Sequence, residues 1–390
     1  MLETKKPREQ SGRDSFSRYR AQVRSAAMAS LSILEGEDID RVYCDLHDDF
    51  VVRKKNTSGY SYVFYQVKTM GKENHNWTLN ELFGLKSTLK DQKKQSTDKI
   101  KGSFIGKLLL HTVVFDQYCN SVVFQTNIHN ANDVEILFKD IEDGEFQNKF
   151  SEVLIGRFNS CFPDEIVTEI SQDEIKKRLS KLKFETDVQY LKNGDDNFEP
   201  LARDKIYKFS EVDLEHTESK EILMKLLELV ERKSSGVISE LTSESIEEFA
   251  GISIDDLLSI LSISKDAYDN LLKGGDSKAI KSASIIQRTL TAAGAGSEEV
   301  EYCSRCKTNW DLWLRKNRHV ILEFELQSIT SQIKQLLNDS TQGGNSINLA
   351  KLNKPIKELV RELTAEDQIY DLNAELVLGG FFAELVKGKS

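Results

Sequence analysis

Asp49 and the run Gln66-Val67-Lys68 bring a carboxylate, a carboxamide and a primary amine into one short stretch of chain. That set of groups suits hydrolysis of a phosphodiester. The reaction needs a hard oxygen ligand for a divalent cation, a second oxygen donor beside it, and a positive charge near the attacking water. A carboxylate binds Mg2+ through oxygen, and because the ion dehydrates reluctantly it needs few protein ligands. The side-chain carbonyl of Gln66 supplies the second donor, and Lys68 stabilises the negative charge that develops on phosphate.

These groups meet only if the chain folds back between them. Phe50-Val51-Val52 and Tyr60 to Lys68 read as two strands flanking Asn56-Thr57-Ser58-Gly59, whose Asn, Ser and Gly residues are turn formers. A hairpin symmetric about the Thr57-Ser58 bond puts Asp49 directly across from Gln66. Strand periodicity then sends Gln66 and Lys68 to one face, and Val67, with Tyr65, to the core side.

With Gln-x-Lys in this place, the chain resembles the PD-(D/E)xK nuclease superfamily, in the Mrr-like variant where glutamine replaces the second acid. Upstream, Ser11-Gly12-Arg13-Asp14 followed by Phe16, Arg18, Tyr19 and Gln22 is similar to the opening of the nuclease domain of CBASS double-stranded-DNA endonuclease effectors, the cyclic-oligonucleotide antiphage systems. Asp45-Leu46-His47-Asp48-Asp49 with Phe50-Val51-Val52, then Tyr65-Gln66-Val67-Lys68-Thr69, is similar to that domain's central motif, and the match covers roughly the first 200 residues. Related domains occur beside HerA-type translocating ATPases in defence operons. The resemblance implies Asp49, Gln66 and Lys68 as catalytic residues, Mg2+ or Mn2+ held by Asp49 and Gln66, and Tyr19 and Gln22 behind them. Asp45 is an expected extra ligand, although the family often has glutamate there.

The surrounding elements read as a mixed domain. Phe16 to Leu34 has helical spacing and stops before Gly36. Arg41 to Leu46, Phe50 to Arg53 and Tyr60 to Thr69 read as strands, Leu79 to Lys90 and Ile100 to Leu110 as helices, and Ser121 to Asn127 as a buried strand. Helices are expected at Val134 to Asp140, Glu145 to Phe158 and Gln172 to Leu182, with an alternating edge strand from Leu182 to Val188. This order is the one a restriction-endonuclease-like α/β fold requires.

From Ser219 onward the pattern is helical, with apolar faces at Ile222 to Val230, Leu257 to Ile263, Ile280 to Leu290 and the long segment Trp310 to Leu337. The expected division is therefore an α/β nuclease domain over 1–210 and an all-α domain over 211–390, the polar run from Lys192 to Asn197 lying near the boundary. Neither Gly-rich stretch, Lys273 to Lys278 or Ala293 to Ser297, has the Gly-x-x-x-x-Gly-Lys-Ser/Thr cradle of a Walker ATPase. In the cyclic-oligonucleotide effectors an α/β nucleotide-sensing domain follows the nuclease. A helical segment in its place favours control by a partner, so the expected assembly is a homo-oligomer that takes DNA and docks a HerA-type ATPase ring.

The chain has 390 residues, 53 Lys and Arg against 63 Asp and Glu, and a net charge of −10. Net acidity works against a nucleic-acid partner, since phosphate neutralisation drives non-specific affinity. The basic residues are nonetheless concentrated on either side of the proposed site. Arg13, Arg18 and Arg20 lie in the N-terminal arm and first helix, and Lys86, Lys90, Lys93 and Lys94 follow the Gln-x-Lys strand, so these seven are the expected DNA contacts. No apolar run spans a bilayer and Met1 to Lys6 lacks a signal-peptide core, which reads as a soluble, cytoplasmic chain without a membrane partner. Five scattered cysteines form no disulfide framework, and Cys303-Ser304-Arg305-Cys306 lacks the second ligand pair of a structural zinc site. Two other readings remain at this stage: a DNA-binding or scaffolding subunit that has lost activity, and a helical protein-interaction adaptor.

Overall fold

Six strands form one sheet in the order β5-β4-β3-β2-β1-β6, where β1 is Ile39–Cys44, β2 Phe50–Asn56, β3 Gly59–Lys68, β4 Cys119–Thr126, β5 Leu182–Glu185 and β6 Gly251–Ile252. This computed structural model describes residues 10–36, 38–57, 59–71, 74–192, 197–210, 216–317, 320–341, 347, 349–365 and 371–389. Strands β1, β2 and β3 make an antiparallel meander, and β3, β4 and β5 run parallel. Parallel neighbours need crossovers, which helices provide. The β3–β4 crossover contains α2 (Leu79–Phe83), α3 (Thr97–Gly102) and α4 (Phe104–Val114), and the β4–β5 crossover contains α5 (Asn132–Glu142), α6 (Lys149–Cys161) and α7 (Gln172–Leu179). The helix preceding β1 is α1 (Gln10–Ser30).

Each face of the sheet is covered. On one, Phe64, Val122 and Phe124 share a buried cluster with Ile105, Leu108 and Leu109 of α4. Trp77 meets Phe104 and Phe124 edge-on at 5.8 and 5.6 Å. On the other, α1 contacts β1, β2 and β3, and its small buried residues Ala26 and Ala27 permit a close approach. Each fully buried Phe or Leu here contributes roughly 1.5–3 kcal/mol, so the two layers hold the central strands firmly. The expected edge strand at Leu182 is indeed at the sheet's edge, ending at Glu185.

Two helical expectations between β3 and β4 are corrected. The helix expected over Leu79 to Lys90 ends at Phe83. Gly84 terminates it in the left-handed region at φ 69°, donating its N–H to the Asn80 and Leu79 carbonyls. A Cβ at Gly84 would run into the Lys99 backbone, so the chain turns where α3 passes. The helix expected over Ile100 to Leu110 is two helices broken at Ser103, whose hydroxyl caps α4 by accepting from the Gly106 N–H at 3.0 Å.

Two units divide the chain: Met1–Arg203 with Leu223–Ile254, and Asp204–Ile222 with Asp255–Ser390. The returning segment joins the first unit for a physical reason. Strand β6 pairs antiparallel with β1, and Glu247 receives Arg41 Nε at 2.5 Å, Arg53 Nη1 at 2.8 Å and the Tyr43 hydroxyl at 2.6 Å. The second unit has no strand among its described residues. Its expected long helix from Trp310 to Leu337 is two, Ser297–Asn317 and Glu323–Thr341. Its helix Ala279–Ala292 has ten buried residues. The polar run at 193–196, His319 and the Gly343-Gly344 pair lie outside the described residues. No described helix is long and apolar enough to cross a membrane.

Candidate active site at the start of β2 and the end of β3

The β2–β3 register runs from Phe50 opposite Tyr65 to Asn56 opposite Gly59. Extending it by one residue sets Asp49 across from Gln66. The Phe50 and Tyr65 rings stack at 4.4 Å and fix this end of the hairpin. Alternation along β3 places Gln66 and Lys68 on the face of Phe64, the face that α4 covers.

The Asp49 carboxylate is enclosed by donors. Its Oδ1 accepts from Gln22 Nε2 at 2.6 Å, and its Oδ2 accepts from the Val67 N–H at 2.6 Å and from Lys68 Nζ at 3.2 Å. Burial raises the Asp49 carboxyl above its ordinary value, helped by the Asp48 charge and opposed by Lys68 and the Val67 N–H. Burial wins, so the ionised form is held at a cost that a cation would relieve. Lys68 also donates to the Val67 carbonyl at 3.1 Å and lies 5.8 Å from the centre of the Phe104 ring. Gln66 is 8% exposed, and its Oε1 is buried without a hydrogen-bond partner. Such an atom is costly to leave unpaired, and a carbonyl oxygen with free lone pairs is a ligand type that a hard divalent cation takes.

Among the described residues no group of three or more His, Cys, Asp or Glu gathers around a common point. A cation bound here would therefore depend on Asp49, the Gln66 carbonyl and water. Asp45 is exposed in the left-handed region at φ 50°, and it joins the site through its backbone, its N–H donating to the Asp49 carbonyl at 3.2 Å. Its charge acts on Tyr19 and Cys44. Of the two residues expected behind the ligands, Gln22 touches Asp49. Tyr19 turns to Ser234, with burial pushing its hydroxyl upward.

Two further side chains, Asp48 of the motif loop and His111 of α4, complete the surroundings of Asp49. Asp48 Oδ1 accepts the Asp49 N–H at 2.9 Å, and its Oδ2 accepts from His111 Nε2 at 3.0 Å. Sixty-three positions separate the partners of that pair, and no local pattern links them.

Arg18, Arg20, Lys86, Lys90 and Lys94 are exposed, as a phosphate contact requires. Arg20 also lies 5.9 Å from the centre of the Phe16 ring. Arg13 belongs to α1 and Lys93 to a short 3-10 turn, but the side chains of both lie outside the described residues. Cys303 and Cys306 are buried on one helix of the second unit, where burial pushes both thiols up, Cys306 to about 11. Both side chains pack in the interior of that unit.

The family model described as Cap4, dsDNA endonuclease domain, matches residues 10–234. No curated protein matches the chain. Among solved structures, the Acinetobacter baumannii Cap4 SAVED/CARF-domain containing receptor is similar at 12% identity and a TM-score of 0.38, covering 76% of this chain and 60% of its own. The same receptor with the cyclic trinucleotide 3'3'3'-cAAA gives 12% identity and 0.38, covering 75% of this chain and 57% of its own. The chain thus spans less than two thirds of the length of the solved structures it resembles.

Proposed function

This chain belongs to the Cap4 dsDNA endonuclease domain family, and from that premise we propose that it cleaves DNA as an effector of antiphage defence, in a restriction-endonuclease-like, PD-(D/E)xK manner that depends on Mg2+ or Mn2+. The observation that carries this reading is the contact of Asp49 with Lys68 at 3.2 Å on the hairpin that also holds the unpartnered Gln66 Oε1. Asp49 and Gln66 would hold the cation, which when bound supplies Lewis-acid polarisation of the scissile phosphate and activation of water. Gln22 and the Val67 N–H orient the carboxylate. Lys68 places an ammonium where negative charge develops, and its partial burial strengthens that interaction. Arg18, Arg20, Lys86, Lys90 and Lys94 would meet the phosphate backbone and set position along the duplex.

The helical second unit supports a further part of the reading, that subunits assemble as a homo-oligomer and that a HerA-type ATPase ring governs access of DNA to the nuclease. The charge-neutral Gln66 favours one rival, a catalytically weak DNA-binding subunit, because an amide holds a divalent cation less strongly than a carboxylate. Linear duplex DNA incubated with the full chain in Mg2+ or Mn2+, with and without EDTA, separates the two. Fragmentation that EDTA stops supports the nuclease. Salt-sensitive DNA binding without cleavage in either metal supports the rival and removes the proposed chemistry.

A further inference from the structure

The loop from Asp45 to Asp49, which delivers the catalytic carboxylate, contains two non-glycine residues in the left-handed region, Asp45 at φ 50° and His47 at φ 63°. Such conformations persist only where the surroundings over-determine them. Here the loop is closed by the Asp45 N–H to the Asp49 carbonyl, and besides the donors that meet the Asp49 carboxylate it is held from outside by a side chain of α4, His111.

His111 is itself fixed. Its ring stacks on Phe64 at 4.4 Å with an interplanar angle of 11°, and Phe115 lies 6.0 Å away. The Phe115 ring also meets His47 edge-on at 5.0 Å, so one aromatic group supports both ends of the contact. From this seat Nε2 donates to Asp48 Oδ2, and Asp48 Oδ1 takes the Asp49 N–H. The Asp48 side chain is only 7% exposed and His111 12%, so the carboxylate is removed from water and its direction is set by these two donors. The chain of contacts runs Phe64, His111, Asp48, Asp49 and ends on the residue that the nuclease reading makes the metal ligand.

We infer that His111 is a positioning residue: acting through Asp48, it holds the strained 45–49 loop so that the Asp49 carboxylate faces Lys68 and Gln66. The assignment of a metal to Asp49 rests on the proposed function above, whereas the anchoring of the loop does not.

The test uses the full chain in four forms: wild type, Asp49→Ala, His111→Ala and His111→Gln, whose amide N–H can replace the imidazole donor. Two readouts are taken below the melting temperature of every form: hydrogen–deuterium exchange of the peptide carrying the Asp49 amide, and Mn2+ binding without DNA by electron paramagnetic resonance. The expected result is faster loop exchange in His111→Ala together with Mn2+ affinity weaker by about ten- to hundredfold, the range typical of groups that orient a metal ligand. His111→Gln should recover much of both, which a merely structural loss of packing against Phe64 would not allow. Wild-type exchange and wild-type Mn2+ affinity in His111→Ala would overturn the inference while leaving the nuclease reading intact. If no form takes up Mn2+ but His111→Ala still loosens the loop, the positioning role stands and the metal reading fails.

Discussion

Two partly buried aspartates, one in each unit, each face a lysine, yet their carboxyls shift in opposite directions. Asp276 in the helical unit has Lys307 Nζ at 2.6 Å, the Ser282 hydroxyl at 2.7 Å and the Lys278 N–H at 2.9 Å. Burial raises its carboxyl, but Lys307 and the hydrogen bonds overcome burial and the net shift is downward. Asp49 in the α/β unit also has a lysine and two further donors, yet its lysine stands at 3.2 Å and the Asp48 charge lies beside it, so burial prevails and the shift is upward. The first arrangement is settled and contributes stability. In the second, burial outweighs the lysine and the other donors, and the cross-strand Gln66 has a buried Oε1 without a hydrogen-bond partner; a carboxyl shifted upward in this way is the kind of perturbation that marks candidate functional sites rather than structural ion pairs.

The sharpest break of this contrast comes from deleting each lysine. Lys68→Ala should lower DNA cleavage by roughly a hundred- to thousandfold, the usual consequence of removing a group that stabilises developing charge, while metal uptake and DNA binding persist. Asp49→Ala should abolish both cleavage and metal uptake. Single-turnover assays read the first effect, and wild-type rates in either variant would refute the assignment. Lys307→Met should instead act on stability. It strands Asp276 and Asp311, both paired to Lys307 within 2.8 Å and little exposed. A loss of about 3–5 kcal/mol is expected in denaturant unfolding of the full chain.

Smaller effects come from pH. The raised Asp49 carboxyl means that its proton-bound form is favoured in the folded state. Its stabilising contribution is present below the ordinary value of 3.8 and is lost as pH rises through the folded value. Asp49→Asn should accordingly keep the melting temperature at pH 7, or raise it by roughly a degree or two. The depressed Asp276 carboxyl contributes stability above 3.8 that is lost as pH falls through its lower folded value. Asp276→Asn should therefore be destabilising at pH 7, with the deficit shrinking in acid. Melting curves from pH 3 to 7 check both signs. The smallest change is expected on the surface: Lys86→Ala, Lys90→Ala and Lys94→Ala should each weaken DNA binding modestly and reduce its salt dependence by about one unit of slope.

How far the site could be read from the chain follows from distance along it. The Asp49 to Lys68 relation is carried by one hairpin, whose alternation and turn residues suffice to set the register, and Phe50 opposite Tyr65 is the pairing that symmetry about Thr57-Ser58 requires. Gln22 was reached through its place in the Gly-Arg-Asp segment of the family resemblance. His111 and Glu247 were not reached, because they meet Asp48 and Arg41 across 63 and 206 positions through packing that no local period encodes. The shortened α2 had a visible signal in Gly84, but its force depends on the nearby Lys99 backbone, a tertiary fact. The split of the Trp310 to Leu337 helix likewise followed no glycine or proline, only the exposed apolar turn of Val320 and Leu322.

The cleavage rate of supercoiled plasmid by wild type and Asp49→Asn, measured side by side in Mg2+, decides whether this carboxylate is catalytic. An active wild type and an inactive variant with undiminished melting temperature are expected if the carboxylate serves catalysis at the expense of the fold. Equal cleavage by the two would contradict that role.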